Sequence, residues 1–261
     1  MAIFVASDLH GASDALKKAV PEGATLLLLG DLINLLDYTN MTGILTEVFS
    51  VEDVQEVSRL RAEGQYEEAR AVIHRRAAGR EDEIRSQIGT RMTQQYEAVF
   101  STLPDPTYLI LGNVDNPETA HSFAVRHPAV REVDGTVVVL EGERFGFAGG
   151  ALPTPLQVPG EITADQMKAK LEAMGECDVL CTHIPPAVPE LCFDTLAGKA
   201  EQGSVDMLRY IEDVQPRRAY FGHVHQPLMS SLYIGRTWCV NVGYFRATQR
   251  AFPHEAIQDG G

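Results

Sequence analysis

An α/β fold is what the sequence predicts, and two patterns predict it. Short β-branched or leucine-rich runs recur along the chain, several apolar throughout, as strands covered on both faces are. Helical patterns with recognisable starts lie between them. The runs cover residues 2–7 (AIFVAS), 25–30 (TLLLLG), 108–112 (YLILG), 136–141 (TVVVLE), 144–149 (RFGFAG), 178–182 (DVLCT), 218–222 (RAYFG), 231–235 (SLYIG) and 237–242 (TWCVNV). The helical patterns cover 12–20, 163–174 opened by Thr163, and 203–214 with Ser204 as its cap. "GERFG" and "YIGRTW" are short glycine-containing connections, which predict antiparallel hairpins in the second half.

Residues 38–103 read differently. They carry roughly three helical stretches and no strand signal, so they form a helical insertion in a single domain of residues 1–261. Ile84, Ile88, Met92, Tyr96 and Phe100 recur every four residues, and Val51, Val54, Val57 and Leu60 every three. The segment is rich in arginine and acids, the composition of a solvated, salt-bridged face. As a whole it is either a lid or a subunit contact, the latter giving a homo-oligomer.

The ends of the strands carry the chemistry. "AIFVAS" runs into Asp8-Leu9-His10, "TLLLLG" into Asp31, "YLILG" into Asn113, "DVLCT" into His183, and "RAYFG" into His223-Val224-His225. In an α/β sheet the carboxyl ends of the strands form one edge, where residues distant in sequence converge. Asp8, His10, Asp31, Asn113, His183, His223 and His225 are oxygen and nitrogen ligands without sulfur, a set suited to Mn²⁺, Fe or Zn²⁺. Seven are too many for one small ion, and two ions sharing a carboxylate would use them all. A lone Asp-x-His or Gly-Asp recurs by chance; five strand ends in this order do not.

This ordered set, in "SDLHG", "LLGDL", "LGNVDN", "CTHIPP" and "FGHVH", resembles the calcineurin-like metallophosphoesterase superfamily and spans most of the chain outside the helical insertion. The resemblance implies a four-layer αββα sandwich, two sheets face to face with helices outside, and a dinuclear site at one edge. It implies that Asp8, His10 and His225 hold the first metal, that Asn113, His183 and His223 hold the second, and that Asp31 bridges them. Two divalent ions, with manganese the first expectation, would activate a bridging hydroxide for attack on phosphorus. Asp31, His183 and His223 are the expected catalytic group, His183 and His223 lying where negative charge develops.

One position departs from the pattern. Many members have histidine after the asparagine, in G-N-H-[DE], where it can protonate the leaving oxygen; here the residue is Val114, which has no proton to give. His121, Tyr244 or Arg246 would then be substitute donors, and Asp115 a group that orients water. Residues 241–246, "NVGYFR", resemble the Asn-x-Gly loop that closes this fold, making Tyr244 and Arg246 substrate contacts beside Asn113. Asn34 reads as a helix start or as a residue behind the ligands.

Composition narrows the function. A formal charge of −14 repels a phosphate backbone, which argues against polynucleotides. The amino terminus lacks a basic n-region and a long apolar run, so neither a signal peptide nor a membrane span is expected and the address is cytoplasmic. Cys177, Cys181, Cys192 and Cys239 have no paired spacing and read as small buried hydrophobes. The expectation is a metal-dependent phosphodiesterase on a small nucleotide, such as a cyclic one, or a similar diester; a phosphomonoesterase and a catalytically weakened scaffold are the alternatives.

Overall fold

Leu26 and Leu28 leave their strand on one face and Leu27 and Leu29 on the other, and all four side chains are fully buried. A run that is apolar at every position therefore has apolar neighbours on both sides, as the two-residue period of a strand requires. The protein, seen in a computed structural model, is described over residues 1–155 and 157–255; the remaining residues of the expected 1–261 unit, Leu156 and 256–261, lie outside the described residues.

The strands in chain order are β1 (Ile3–Ala6), β2 (Thr25–Leu28), β3 (Thr107–Leu109), β4 (Val130–Glu132), β5 (Thr136–Leu140), β6 (Glu143–Ala148), β7 (Val179–Thr182), β8 (Phe193–Asp194), β9 (Lys199–Ala200), β10 (Arg218–Phe221), β11 (Ser231–Ile234), β12 (Thr237–Asn241) and β13 (Phe252–His254). A five-stranded sheet runs β13-β1-β2-β3-β4 and a six-stranded sheet runs β11-β12-β10-β7-β6-β5. β1 to β4 are mutually parallel, as are β6, β7, β10 and β12. The hairpins expected at "GERFG" and "YIGRTW" are the antiparallel pairs β5–β6 and β11–β12. The first turns through Glu141 and Gly142, both at positive φ, as a tight hairpin with native twist needs.

The helices are α1 (Leu16–Ala19), α2 (Ile44–Val48), α3 (Val51–Ala62), α4 (Tyr66–Ala77), α5 (Glu81–Phe100), α6 (Pro117–Ala124), α7 (Ala164–Met174), α8 (Pro189–Cys192), α9 (Val205–Val214) and α10 (Phe245–Thr248). Thr163 opens α7 with a reciprocal capping box to Gln166, and Ser204 caps α9 by accepting from Met207 N at 3.1 Å. The expected helix over 12–20 is a 3₁₀ turn, Ser13–Ala15, followed by α1. The insertion holds four helices, α2 to α5, rather than three. No helix starts at Asn34: its N–H donates to Gln95 Oε1 at 2.7 Å and its amide to the Thr42 carbonyl at 3.3 Å.

Three apolar layers alternate with the sheets. Ile3, Val5, Leu27, Leu29, Tyr108 and Ile110 of one sheet pack on Phe145, Phe147, Val179, Cys181, Tyr220 and Val240 of the other. The outer face of the first sheet, including Ala6, Leu26, Leu28 and Leu109, is covered by Met92, Tyr96, Val99 and Phe100 of α5 and by Phe123 of α6. The outer face of the second is covered by Met167, Leu171 and Met174 of α7 and by Met207 and Ile211 of α9. Helix, sheet, sheet, helix is the four-layer sandwich that the resemblance implies. All four cysteines are free and buried within it. Among the described residues no helix is long and apolar enough to cross a membrane.

The insertion divides in two. α5 belongs to the outer layer, whereas Val57 and Leu60 of α3 and Ala69 and Val72 of α4 form a small core of their own. Its arginines pair on the surface, Arg59 with Glu63, Arg70 with Glu67 and Arg80 with Glu83, as the composition predicts. α5 also reaches inward: the Tyr96 hydroxyl accepts from Asn116 N at 2.8 Å and donates to Asp115 Oδ1 at 3.4 Å. Tyr96→Phe removes both bonds at a site with no exposure. It should destabilise the protein by about 1–2 kcal/mol in thermal or denaturant unfolding, with secondary structure unchanged.

Candidate metal centre

The carboxyl ends of β1, β2 and β3 in one sheet and of β7 and β10 in the other meet at one edge. Asp8 and His10 follow β1, Asp31 follows β2, Asn113 follows β3, His183 follows β7, and His223 and His225 follow β10. Four of these seven, Asp8, His10, Asp31 and His223, have φ between 40° and 67°. That left-handed conformation is strained for residues with a Cβ and clusters at functional sites. It turns each chain sharply off its strand, so the side chain returns over the sheet edge.

The glycines of the G-N and G-H motifs permit the close approach. A Cβ on Gly112 would lie 2.1 Å from Asp31 Oδ1, and one on Gly222 would lie 2.1 Å from Ser7 Oγ and 2.2 Å from Asp8 Oδ2. Any larger residue would displace a ligand carboxylate.

The side chains form two sets, Asp8, His10 and His225 in one and Asp31, His183 and His223 in the other. His10 Nε2 lies 3.9 Å from Asp8 Oδ1 and 3.6 Å from Asp31 Oδ2; His225 Nε2 lies 3.6 Å from Asp8 Oδ1. His183 Nε2 lies 3.5 Å from Asp31 Oδ1. These gaps are too long for hydrogen bonds, but two atoms bound at about 2.1 Å to one cation can stand up to about 4.2 Å apart. Asp31 turns one oxygen to each set, as a bridging carboxylate must. Asn113 Oδ1 lies 3.0 Å from both His183 Nε2 and His223 Nδ1, which places it in the second set.

Hydrogen bonding behind the ligands aims their lone pairs. The Leu29 carbonyl lies 2.8 Å from His183 Nδ1 and the Ile33 carbonyl 3.2 Å from His10 Nδ1. Each carbonyl accepts a hydrogen bond from Nδ1–H, so each Nε2 presents a lone pair to the carboxylate and amide oxygens opposite. Asp8 Oδ1 and His10 Nε2 are buried without a hydrogen-bond partner. Acceptors facing acceptors in a buried space fit divalent cations, one at each set, with Asp8, His10, His225 and Asp31 around the first and Asp31, Asn113, His183 and His223 around the second.

The electrostatics of the side chains agree. Burial, then the nearby Asp8 and Asp115 charges, raises the Asp31 pKa to about 7, against the pull of His183 and of the Val114 N–H. Burial lowers His10 to about 4 and His223 to about 3, keeping both neutral and able to ligate. Burial would also raise Asp8, but the His225 imidazole facing it, with those of His183 and His10, holds it well below the carboxylate range. Burial opposes protonation of His225, and Asp8 overcomes it, raising that pKa.

Several residues fall elsewhere than the sequence suggests. Asp115 orients no water: it is fully buried and accepts from Asp31 N, Leu32 N and Gly112 N at 2.8, 2.9 and 2.9 Å. His121 is on the exposed side of α6, bonded to Glu132 at 2.6 Å, and joins neither set. Val114 packs its side chain into the core beneath α5, and its N–H holds Asp31 Oδ1 at 3.1 Å. Tyr244 stacks flat on His225, centroids 3.9 Å apart at 1°. The Arg246 guanidinium donates to the His10 carbonyl, reaches Thr42 Oγ1 at 3.3 Å and pairs with Asp37 at 3.4 Å. Both therefore brace the first set, on a segment whose Phe245 and Arg246 N–H groups bond Ser7 and Asp8 carbonyls. Asp37 and Gln95 carried no sequence signal, because their role lies in contacts between distant segments; Asn241, whose amide bonds the Gly222 and Val224 carbonyls, was visible only as a loop residue.

A double-sheet sandwich that brings two sets of nitrogen and oxygen ligands around a shared carboxylate defines a metal-dependent hydrolase. Residues 1–227 match the Metallophos family, so the chain belongs to the calcineurin-like phosphoesterases and is a metal-dependent phosphoesterase. No curated protein matches the sequence. One solved crystal structure aligns over 98% of this chain and 99% of its own at 16% identity, with a TM-score of 0.59. The crystal structure of TT1561 of Thermus thermophilus aligns over 97% of each chain at 14% identity, with a TM-score of 0.50. At these identities the likeness is one of fold.

Gly222→Ala should cut bound metal well below two ions per chain, measured by elemental analysis after dialysis, because the new Cβ displaces Asp8. A second outcome concerns pH. With Asp31 raised from 3.8 to about 7, the metal-free fold holds that proton more tightly than the unfolded chain does, so its contribution is present below about pH 4 and lost as pH rises through 7. In EDTA, Asp31→Asn should therefore gain Tm relative to the parent between pH 5 and pH 8, while losing metal binding.

Proposed function

We propose that the protein hydrolyses small phosphodiesters, with cyclic nucleotides the first class to assay and manganese the first metal. The observation that carries this reading is charge. Among the described residues no lysine or arginine pairs with Asp8 or Asp31, and the Arg246 guanidinium is taken by Asp37, Thr42 and the His10 carbonyl. A singly charged diester suits such a site better than a monoester dianion, which calls for additional cationic groups. The formal charge of −14 supports a small substrate over a polynucleotide.

Two divalent ions bound there supply Lewis acidity and an activated water. The chain does the rest. Asp31 spans the two sets and fixes their separation. Buried His183 and half-buried His223 set the position of the second set without adding negative charge, and the Asn113 amide oxygen likewise adds none. Val114 leaves the site without a proton donor at the position where the family often has histidine, so departure of the leaving oxygen depends on that group's own acidity.

The manganese-loaded protein should cleave bis(p-nitrophenyl) phosphate with higher kcat/KM than p-nitrophenyl phosphate, and Asp31→Ala and His183→Ala should each lower it at least about 100-fold. Equal turnover by those variants, or preference for the monoester, would contradict the proposal. Across diesters of graded leaving-group acidity, kcat should fall steeply towards alkoxides, since general acid catalysis typically contributes about 10²- to 10⁴-fold and Val114 cannot provide it. A flat dependence would show that another residue donates the proton.

A further inference from the structure

A cavity of about 300 Å³ opens at the end of the second sheet opposite the metal centre, lined by Gln215, Arg217, Arg218, Tyr233, Arg236 and Trp238. Arg218 opens β10, and His223 follows the other end of that strand, about 16 Å away at the usual rise of a strand. Three of the six lining residues are arginines and none is a carboxylate, in a chain with 36 acidic residues against 22 basic ones.

Strand register builds the floor of this cavity. Trp238 of β12 is the Cα partner of Arg218 on β10 and of Tyr233 on β11, so the three side chains stand in one row across three strands. The Arg218 guanidinium carbon lies 6.0 Å from the centre of the Trp238 ring. Arg236 is in the turn between β11 and β12, and its N–H donates to Gln215 Oε1 at 2.6 Å. Gln215 in turn donates through Nε2 to the Ile211 carbonyl at 2.8 Å, which fixes that turn against the end of α9.

Charge compensation is incomplete here. Arg218 is only 9% exposed, yet among the described residues no carboxylate pairs with it: its guanidinium donates to the Glu255 carbonyl and reaches His254 Nδ1 at 3.4 Å. Burial holds the His254 pKa below its ordinary value, so the imidazole brings no charge of its own. Arg236 likewise pairs with no carboxylate among the described residues. Arg217 is engaged by Glu143 at 3.5 Å. A buried guanidinium without an anionic partner is costly unless a counter-charge reaches it. The open side from which one can arrive is the cavity.

We propose that this cavity binds a nucleoside monophosphate, with the phosphate on Arg218 and Arg236 and the base on the ring faces of Trp238 and Tyr233. Guanidinium forks match phosphate oxygens, and the face of an aromatic side chain stacks on any base. A volume of about 300 Å³ lies at the lower bound of small-molecule sites, which suits one nucleotide and not two. The site is independent of the substrate reading above, since none of its residues belongs to the two ligand sets.

Trp238 is the chain's one tryptophan, so its fluorescence reports on this cavity directly. With the full chain in EDTA, adenosine 5′-monophosphate should change that emission saturably and bind at least about 10-fold tighter than adenosine or inorganic phosphate, because it makes both contacts. Added salt should weaken it. Arg236→Ser, at an exposed site whose backbone bond to Gln215 is retained, should weaken the nucleotide and phosphate about 10-fold at the parent Tm. Tyr233→Ser should weaken the nucleotide at least about 5-fold and leave phosphate unchanged. Asp31→Ala, which disables the metal centre, should bind the nucleotide as the parent does. No saturable change, equal affinity for the nucleotide and for adenosine or phosphate, an unaltered Kd in Arg236→Ser, or loss of binding in Asp31→Ala overturns the proposal. None of these readouts requires turnover, so failure of the phosphodiesterase reading would leave them intact.

Discussion

Three backbone N–H groups converge on the Asp115 carboxylate, and the metal centre depends on that convergence. Asp31, Leu32 and Gly112 come from the ends of two neighbouring strands and would diverge once the ladder stops. One buried carboxylate holds both turns. Burial of a charge is costly unless hydrogen bonds compensate it, and here three N–H groups and the Tyr96 hydroxyl do so. The position of Asp31, the carboxylate shared by the two candidate sets, is therefore set from beneath. α5 takes part in the same knot through Tyr96, so a segment that looks peripheral in sequence secures the catalytic edge.

The ligand residues are held in conformations that the chain would not choose locally. Left-handed φ at Asp8, His10, Asp31 and His223 costs about 1 kcal/mol or more each. Three continuous apolar layers, with both sheets covered on both faces, hold these turns in place. Strain, orphaned buried acceptors and a carboxylate that resists ionisation all occur at one edge of an otherwise consistent structure. Such a concentration of local conflicts marks a binding site for cations.

Much of this was legible in the sequence. The seven candidate ligands stand at the ends of apolar runs, and the alternation of Leu26 to Leu29 between two layers explains why those runs lack a polar face. The α6 start is also encoded, in Asn116 as cap and Pro117 in the first turn. What escaped was non-local. β4, β8, β9 and β13 are two or three residues long and exist because a neighbour pairs with them. Arg246 looks like a phosphate contact until Asp37, from the far end of the chain, is found beside it. Asp115 sits two positions from a ligand, yet only the fold reveals that it faces the backbone and not the ions.

The small separate core shared by α3 and α4 makes that pair a module. Its apolar contacts are internal, through Val57, Leu60, Ala69 and Val72, and its inter-helix ion pair, Arg76 with Asp53 at 2.7 Å, is internal as well. α5 and the segment around Asp37 are woven into the ligand loops, but the α3–α4 hairpin is not. Its length and sequence can drift, or be redesigned, without disturbing the ligands.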